Sequence, residues 1–203
     1  MLPPAEPAPA AALVLAAGSS SRLGRPKQLL VYQRETLLHR AVRTVLAAGY
    51  APVIVVTGAL DAELRRAAAD LPCRAVHAPG WAAGMGASIR AGLGALAPPA
   101  TAVLIMSCDQ PLVSAPQLAE LARRRQATGA PAVAAAYADT FGIPALFAAD
   151  ALTDLRDIRP EQGAKALLAR YGDALELVPV AEAAFDVDTP AAYAALLAQQ
   201  KSG

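Results

Sequence analysis

The chain carries the stretch L-A-A-G-S-S-S-R-L-G-R-P-K-Q-L-L at residues 15–30, and this stretch decides the fold. It overlaps a short apolar run, Ala11–Ala17, whose length and composition predict a buried first strand. Gly18 and Gly24, with serines between them, are typical of a loop whose backbone N–H groups approach ligand oxygen atoms closely. A strand that ends in such a loop indicates an α/β domain with a ligand site at that end of the strand.

Two of the cations in the same stretch, Arg22 and Lys27, predict that the ligand carries phosphate groups. The spacing excludes two common phosphate loops. A Walker A loop has lysine directly after its second glycine, whereas two residues separate Gly24 from Lys27. A dinucleotide fingerprint reads G-x-G-x-x-G, whereas Ser20 stands two residues after Gly18. The plainer alternative is a turn rich in serine and glycine with two surface cations.

The stretch resembles the signature of the MobA-like nucleotidyltransferases, and especially of the molybdenum cofactor cytidylyltransferases, L-A-A-G-x-S-x-R-x-G-x-P-K-x-L-L. It matches this signature at every fixed position. The resemblance implies an enzyme that moves a nucleotide from an NTP to a phosphate-bearing acceptor, such as molybdopterin, and releases pyrophosphate. It implies catalytic roles for Arg22 and Lys27, and nucleotide-binding roles for Leu15, Ala16, Ala17, Gly18, Ser19, Gly24 and Lys27.

Length and composition bound the architecture. The 203 residues are 55% hydrophobic, which predicts one compact domain at residues 11–203 after a loose N-terminal tail at residues 1–10. A formal net charge of +1 and the lack of a basic amphipathic segment argue against nucleic acid and membrane partners. Cys73 and Cys108 are the only cysteines, too few for a disulfide scaffold or a zinc site, and a reducing cytoplasm fits this.

Strand and helix patterns alternate along the chain, which predicts a parallel sheet with right-handed crossovers. Together with the resemblance, this gives an α/β class, a three-layer Rossmann-like nucleotidyltransferase fold with a mostly parallel central sheet. The predicted strands are Ala11–Ala17, Pro52–Thr57, Cys73–His77, Thr101–Met106, Pro131–Tyr137 and Leu175–Val180. The predicted helices are Leu37–Leu46, Asp61–Asp70, Ala115–Gly129, one from Ala191 onward, and one that starts at Ser88 and closes at Pro98 and Pro99.

A second glycine-rich loop, H-A-P-G-W-A-A-G-M-G-A-S, precedes the helix at Ser88 and contains the only tryptophan, Trp81. We assign Trp81 to packing. Ser88 stands where a helix N-cap is expected, so a capped helix after a flexible turn explains it structurally. A helix N-terminus also meets the anionic groups of ligands. In the family the matching loop lies against the nucleotide base, which implies nucleotide-binding roles for Gly86 and Ser88.

Three aspartates are candidates for a magnesium site. Asp109 follows the most hydrophobic predicted strand, and the carboxyl ends of strands carry the site in an open α/β sheet. A carboxylate there is suited to hold Mg²⁺ against phosphate oxygens, although it also suits a cap for the helix after Pro111. Asp186 and Asp188 lie on one face of an expected strand by alternation. The resemblance points to Asp109 as a catalytic metal ligand and to Asp188 as its partner.

The acceptor side departs from the family pattern. T-F-G-I-P-A-L-F at residues 140–147 resembles a lid segment in which many members have histidine where this chain has Ile143. R-P-E-Q-G-A-K at residues 159–165 resembles a G-D-x-G-A-R loop, but Pro160 and Glu161 replace Gly-Asp and Lys165 replaces arginine. Lysine keeps the charge and loses the bidentate fork of arginine. Sugar or alcohol phosphates therefore remain open as acceptors beside molybdopterin.

The donor is expected to be CTP. Ala17 stands where guanylyl-transferring relatives typically have glycine, and its methyl group takes up room that a purine needs. Three alternatives remain: a related nucleotidyltransferase that uses GTP, an inactive NTP-binding partner of a cofactor-insertion system, and a nicotinamide dehydrogenase, against which the missing fingerprint argues. A molybdoenzyme chaperone is a further partner that the resemblance suggests.

Overall fold

The structure is a computed structural model that describes residues 10–97 and 100–200. The N-terminal tail expected at residues 1–10 therefore lies outside the described residues except for Ala10, as do Pro98 and Pro99. None of the helices in the described ranges is long and apolar enough to cross a membrane.

A central sheet of seven strands forms the middle layer in the order β5-β4-β1-β6-β8-β7-β9, and β2 and β3 form a separate hairpin. In the central sheet β8 runs antiparallel to both of its neighbours, whereas the other pairings are parallel. The strands are β1 Ala11–Leu15, β2 Val31–Tyr32, β3 Glu35–Thr36, β4 Val53–Thr57, β5 Arg74–His77, β6 Ala102–Ser107, β7 Ala132–Tyr137, β8 Thr140–Ala148 and β9 Leu175–Pro179.

Helices cover both faces of the sheet, so the predicted three-layer α/β fold is confirmed. They are α1 Leu37–Ala47, α2 Asp61–Ala67, α3 Met85–Gly94, α4 Ala115–Thr128, α5 Leu152–Arg156, α6 Ala164–Leu168 and α7 Pro190–Gln200. Strand β1 shows why its sequence is apolar throughout, because alternate residues enter opposite cores. Ala12 and Val14 pack with α1 and α4, whereas Leu13 and Leu15 pack with α3, α5 and α6.

A third apolar cluster attaches the C-terminal helix to the signature stretch. Leu23 and Leu30 of that stretch pack with Tyr32, Val187 and Leu196. The carboxyl end of the chain is thereby held beside the loop that follows β1. Asp188, directly after Val187, is thus brought toward the same edge of the sheet.

Three local expectations were wrong. Ser88 is not an N-cap: α3 begins at Met85 with Gly84 as its cap, and Ser88 is buried inside the helix. Residues 140–147 do not form a lid segment: they form the inner strand β8, because their apolar side chains pack between the layers. Asp186 and Asp188 lie in an irregular segment, although Val187 N–H donates a 3.0 Å hydrogen bond to Asp109 O and joins it to the end of β6.

Candidate active site

A cavity of about 590 Å³ opens at the carboxyl ends of β1 and β6. This volume is in the range of ordinary small-molecule sites. The signature loop forms one wall, the start of α3 a second, and β7, β8 and α6 a third. The lining residues are Leu15, Ala16, Ala17, Gly18, Ser19, Arg22, Lys27, Gln28, Trp81, Ala82, Gly84, Met85, Ser88, Ser107, Cys108, Asp109, Gln110, Tyr137, Gly142, Ile143, Gly163, Ala164, Lys165, Asp186 and Asp188.

Gln28 gives the signature loop its shape. Its side chain is fully buried, and its Nε2 donates hydrogen bonds of 2.8 Å to both Ala16 O and Gly18 O. Ser20, at a φ of +57°, donates to Gln28 Oε1 at 3.3 Å and accepts from Lys27 N–H at 3.0 Å. Gln28 thus holds two carbonyl groups at the start of the loop, and Ser20 connects the middle of the loop to its end at Lys27. Sequence reasoning missed Gln28 because it occupies a variable position of the signature.

Replacing Gln28 with alanine is expected to lower the free energy of unfolding by about 2–4 kcal/mol, since the buried carbonyl of Ala16 and the partly buried hydrogen bond at Gly18 O lose their donor. Chemical denaturation measures this change. Gln126→Ala, an exposed glutamine on α4, is the control and should stay within about 0.5 kcal/mol of the parent protein. Equal stability of both variants would contradict the role of Gln28 in holding the loop.

The cations and carboxylates predicted from the sequence meet in one network. Lys27 Nζ contacts an oxygen of Asp109 and lies 2.7 Å from Asp188 Oδ1, so it bridges carboxylates from two distant parts of the chain. Arg22 Nη2 lies 2.7 Å from Asp188 Oδ2. Lys27 and Asp109 are largely buried, whereas the Arg22 side chain is 71% exposed.

Burial and charge set the protonation of this network. Burial lowers the pKa of Lys27, but the charge of Asp109 and the hydrogen bonds to Asp109 and Asp188 together outweigh burial and hold the pKa above its usual range. Asp188 loses solvent as well, yet its hydrogen bond from Lys27 holds its pKa below the usual range. Burial raises the pKa of Asp186 to about 6, with the nearby charges of Asp109 and Asp188 adding to the effect. Asp188 therefore has a lower pKa than Asp186 and stays ionised to a lower pH.

The donor set fits a divalent cation that shares its coordination with a substrate. Asp109 and Asp188 both present oxygen to the Lys27 ammonium, so a single positive charge lies between them. In the described ranges no three carboxylate, imidazole or thiolate groups converge on one point. Mg²⁺ and Mn²⁺ need few protein ligands when phosphate oxygens and water complete their shell.

The wall of the cavity at the start of α3 contains Trp81, and Ala17 meets it there. A Cβ atom on Gly58 would stand 2.8 Å from the Ala17 methyl carbon and 2.7 Å from Trp81 Cγ, so the methyl group and the indole ring meet at that glycine. Trp81 packs against the core layer below α3, as predicted, and also lines the cavity. Ser88 and Met85 face the cavity from α3.

Two residues predicted to bind nucleotide do not line the cavity. Gly24 lies in the turn before Pro26, at a φ of +72° that favours glycine, and its N–H donates to Ser20 O at 3.2 Å. Gly86 is buried against residues 159–162. The structure brings together at the cavity Leu15, Ala16, Ala17, Gly18, Ser19, Arg22, Lys27, Ser88, Asp109 and Asp188.

The third wall is polar and aromatic. Lys165 Nζ donates a 2.5 Å hydrogen bond to Thr140 Oγ1 and lies 5.9 Å from the centre of the Phe141 ring. Tyr137 lines this side, and its hydroxyl lies so close to Gly142 that a Cβ there would stand 2.4 Å away. Tyr137 ends β7, whose carboxyl end lies at the same edge of the sheet as that of β1. The sequence analysis gave Tyr137 no role, although its position at the end of a parallel strand was sufficient to identify it as a site residue.

Comparison with known proteins places this geometry in a family. Residues 12–175 match the model described as the MobA-like NTP transferase domain. The chain belongs to the MobA-like NTP transferase family. The family resemblance predicted from the signature stretch is therefore confirmed, and the match extends far beyond that stretch to β9.

Two curated relatives carry different functional names. The chain is 42% identical over 104 residues to nicotine blue oxidoreductase of Paenarthrobacter nicotinovorans, which covers 50% of each protein. It is 34% identical over 113 residues to a probable molybdenum cofactor guanylyltransferase of Opitutus terrae, which covers 56% of this chain and 54% of the relative. The chain thus spans about half the length of the curated relatives that it matches.

Solved structures are similar over nearly the whole chain. Rv0371c from Mycobacterium tuberculosis H37Rv has a TM-score of 0.81 and 29% identity, with 94% of this chain and 98% of that chain covered. A structure of Rv0371c described as a complex with manganese has a TM-score of 0.77 and 27% identity over 94% and 98% of the two chains. Both confirm the fold, and the second reports a divalent metal in a relative of this chain.

Proposed function

We propose that this MobA-like chain transfers CMP from CTP to the phosphate of molybdopterin and releases pyrophosphate. The observation that carries the proposal is the network of Lys27, Arg22, Asp109 and Asp188 beside the signature loop, inside one cavity. Charges of both signs at one sheet edge suit a polyphosphate with its metal. The cavity extends from the signature loop to β7, β8 and α6, which is where the proposal places the second substrate.

The reaction is an in-line attack by an acceptor phosphate oxygen on the α-phosphorus of CTP. The bond to the β-phosphate oxygen breaks, and pyrophosphate leaves. Charge builds on the nonbridging oxygens, so fixed positive groups stabilise the transition state. Lys27 and the backbone N–H groups of Gly18 and Ser19 supply these from the signature loop, and Arg22 reaches in from the exposed side. A phosphate nucleophile is already ionised at neutral pH and needs no general base.

Mg²⁺ is the metal we propose for this site, held by Asp109 and Asp188. When bound, it would neutralise phosphate charge and so stabilise the leaving pyrophosphate. Lys27, which contacts both carboxylates, keeps them at one point before the substrate arrives.

Acceptor binding is assigned to the third wall. Lys165 provides a cation for a phosphate, and Tyr137 and Ile143 provide flat and apolar surface for a ring system. A phosphorylated, planar heterocycle such as molybdopterin matches this combination better than an open-chain alcohol phosphate.

Base choice is expected to favour CTP over GTP by roughly 1–3 kcal/mol, since the Ala17 methyl group and Trp81 fill the base-side wall. Ala17→Gly, combined with changes at residues 84–88, should relax the preference. The ratio of kcat/KM values for the two donors measures it. Ala59→Gly, an exposed neighbour that does not line the cavity, is the control. Equal or better use of GTP by the parent protein would contradict the assignment.

Pyrophosphate release with each NTP, in the presence and absence of molybdopterin, tests the proposed function. Release with CTP that depends on molybdopterin is the expected result. Release with a sugar phosphate or an alcohol phosphate instead would change the acceptor, and tight CTP binding without release under any condition would indicate an inactive NTP-binding partner.

An oxidoreductase is a second candidate, favoured by the 42% identity to nicotine blue oxidoreductase. A nicotinamide nucleotide is the expected hydride donor in that case, although the signature loop lacks the dinucleotide fingerprint. Titration with NADH and NADPH separates the candidates. Binding of either at micromolar concentration, competitive with CTP, would favour the oxidoreductase.

A further inference from the structure

Two segments that are distant in sequence close against each other beside the cavity. Residues 159–162, which we call the 159–162 loop, connect α5 to α6, and their backbone packs on the first turn of α3. Pro160 O accepts a 3.3 Å hydrogen bond from Ala87 N–H. This amide belongs to the first turn of a helix, where N–H groups lack an intrahelical partner. The loop therefore occupies one of the free backbone donors at the N-terminus of α3.

Glycine is needed on the helix side of this contact. A Cβ atom on Gly86 would stand 2.1 Å from Arg159 O and 2.9 Å from Gln162 O. A Cβ atom on Gly84 would stand 2.6 Å from Pro160 O. Even close carbon–oxygen contacts in proteins are about 3.3 Å or longer, so a side chain at either glycine displaces the loop.

The loop itself has a defined shape. Gln162 N–H donates to Arg159 O at 3.0 Å, and Arg159 N–H donates to Gln162 Oε1 at 3.2 Å, so the Gln162 residue closes the turn at both ends. Ile158 before the loop and Ala164 after it are buried in the same core cluster as Ile89 of α3. The loop is thus anchored on both sides to the layer that contains α3.

The 159–162 loop leads directly into the acceptor wall. Gly163, Ala164 and Lys165 follow it and line the cavity. Any displacement of the loop moves the start of α6, and with it the point from which Lys165 reaches its partner Thr140. The opposite end of the contact, α3, carries the base-side residues Met85 and Ser88.

We propose that Gly84 and Gly86 are positioning residues for the acceptor half of the cavity. Their missing side chains let the 159–162 loop dock on α3, and the docked loop fixes Lys165 at the acceptor wall. The identity of the acceptor in this statement rests on the proposed function, whereas the docking does not. A direct role for Gly86 at the nucleotide base makes the opposite kinetic prediction, because it places the defect in CTP binding.

Hydrogen exchange on the ligand-free protein tests the docking. Gly86→Ala is expected to speed amide exchange in residues 163–168 by about tenfold or more, because the loop that anchors α6 is displaced. Gly94→Ala is the matched control: it lies at the end of the same helix, with open space around its Cβ position and no contact with the cavity. Gln162→Ala approaches the contact from the loop side and should give a smaller change in the same segment.

Kinetics with CTP and molybdopterin test the consequence. Gly86→Ala should raise KM for molybdopterin by about tenfold and change KM for CTP by less than about twofold. Unchanged exchange in residues 163–168 in both Gly86→Ala and Gln162→Ala, or a defect confined to KM for CTP, would overturn the inference. If the parent protein releases no pyrophosphate from CTP with molybdopterin, the proposed function fails, and the exchange result alone decides the docking.

Discussion

Replacing Lys27 with alanine is expected to lower the rate of pyrophosphate release by on the order of 100-fold. Lys27 is the buried cation of the network and contacts both Asp109 and Asp188. Its loss removes charge stabilisation from the transition state and leaves two carboxylates to repel each other. Arg22→Ala should lower turnover by the same order, because Arg22 supplies the second fixed charge.

The controls separate catalysis from folding. Lys27→Arg keeps the charge and should retain more activity than Lys27→Ala, and Arg25→Ala removes a neighbouring cation that does not line the cavity. Circular dichroism and thermal unfolding report on the fold of each variant. Near-normal turnover in folded Lys27→Ala and Arg22→Ala would contradict the phosphate-binding role assigned to these two cations.

The second large effect is expected at the carboxylates. Asp109→Asn and Asp188→Asn should each lower turnover by on the order of 100-fold at a fixed, low Mg²⁺ concentration and raise the Mg²⁺ concentration needed for half-maximal rate. An amide oxygen keeps the size of the group and loses the charge that attracts the metal. Isothermal titration with Mn²⁺ measures metal binding independently of turnover.

Asp186→Asn is the matched comparison, since Asp186 lines the same cavity two residues away. Its effect should be milder, because Asp186 has a raised pKa of about 6 and forms no ion pair with Lys27 or Arg22 in the described network. A larger defect in Asp186→Asn than in Asp188→Asn would reverse the assignment between the two carboxylates. Metal dependence like that of the parent protein in all three aspartate variants would contradict a metal site at these residues.

The fold was predictable because its signals are local. The apolar run of β1 and the β-branched run of β4 identify inner strands, and the spacing of Leu38, Ala41 and Val45 identifies α1. Strand β8 was not predicted, because its antiparallel direction depends on pairing with β6 and β7, which no local sequence pattern encodes. Ser88 was misplaced because Gly84 begins the helix earlier with an unusual φ of +132°.

The site was predictable where a residue lies in a recognisable motif or at a strand end. Lys27 was predicted from the signature loop, Asp109 from its strand end and Asp188 from the family resemblance, and the structure brings all three into one network. Gln28 was missed because its role, to hold the carbonyls of Ala16 and Gly18, exists only in the folded loop. The contact between Gly86 and the 159–162 loop joins residues far apart in sequence, so it is visible only in the folded structure.

Transfer of label from CTP tests the central claim most directly. The protein is incubated with Mg²⁺, molybdopterin and CTP that carries ³²P at either the α- or the γ-phosphate. We expect α-label in the pterin product and γ-label in pyrophosphate, in equal amounts and only when molybdopterin is present. Label from the α-position that appears in free CMP alone, or no label transfer with intact Mg²⁺ binding, would contradict it.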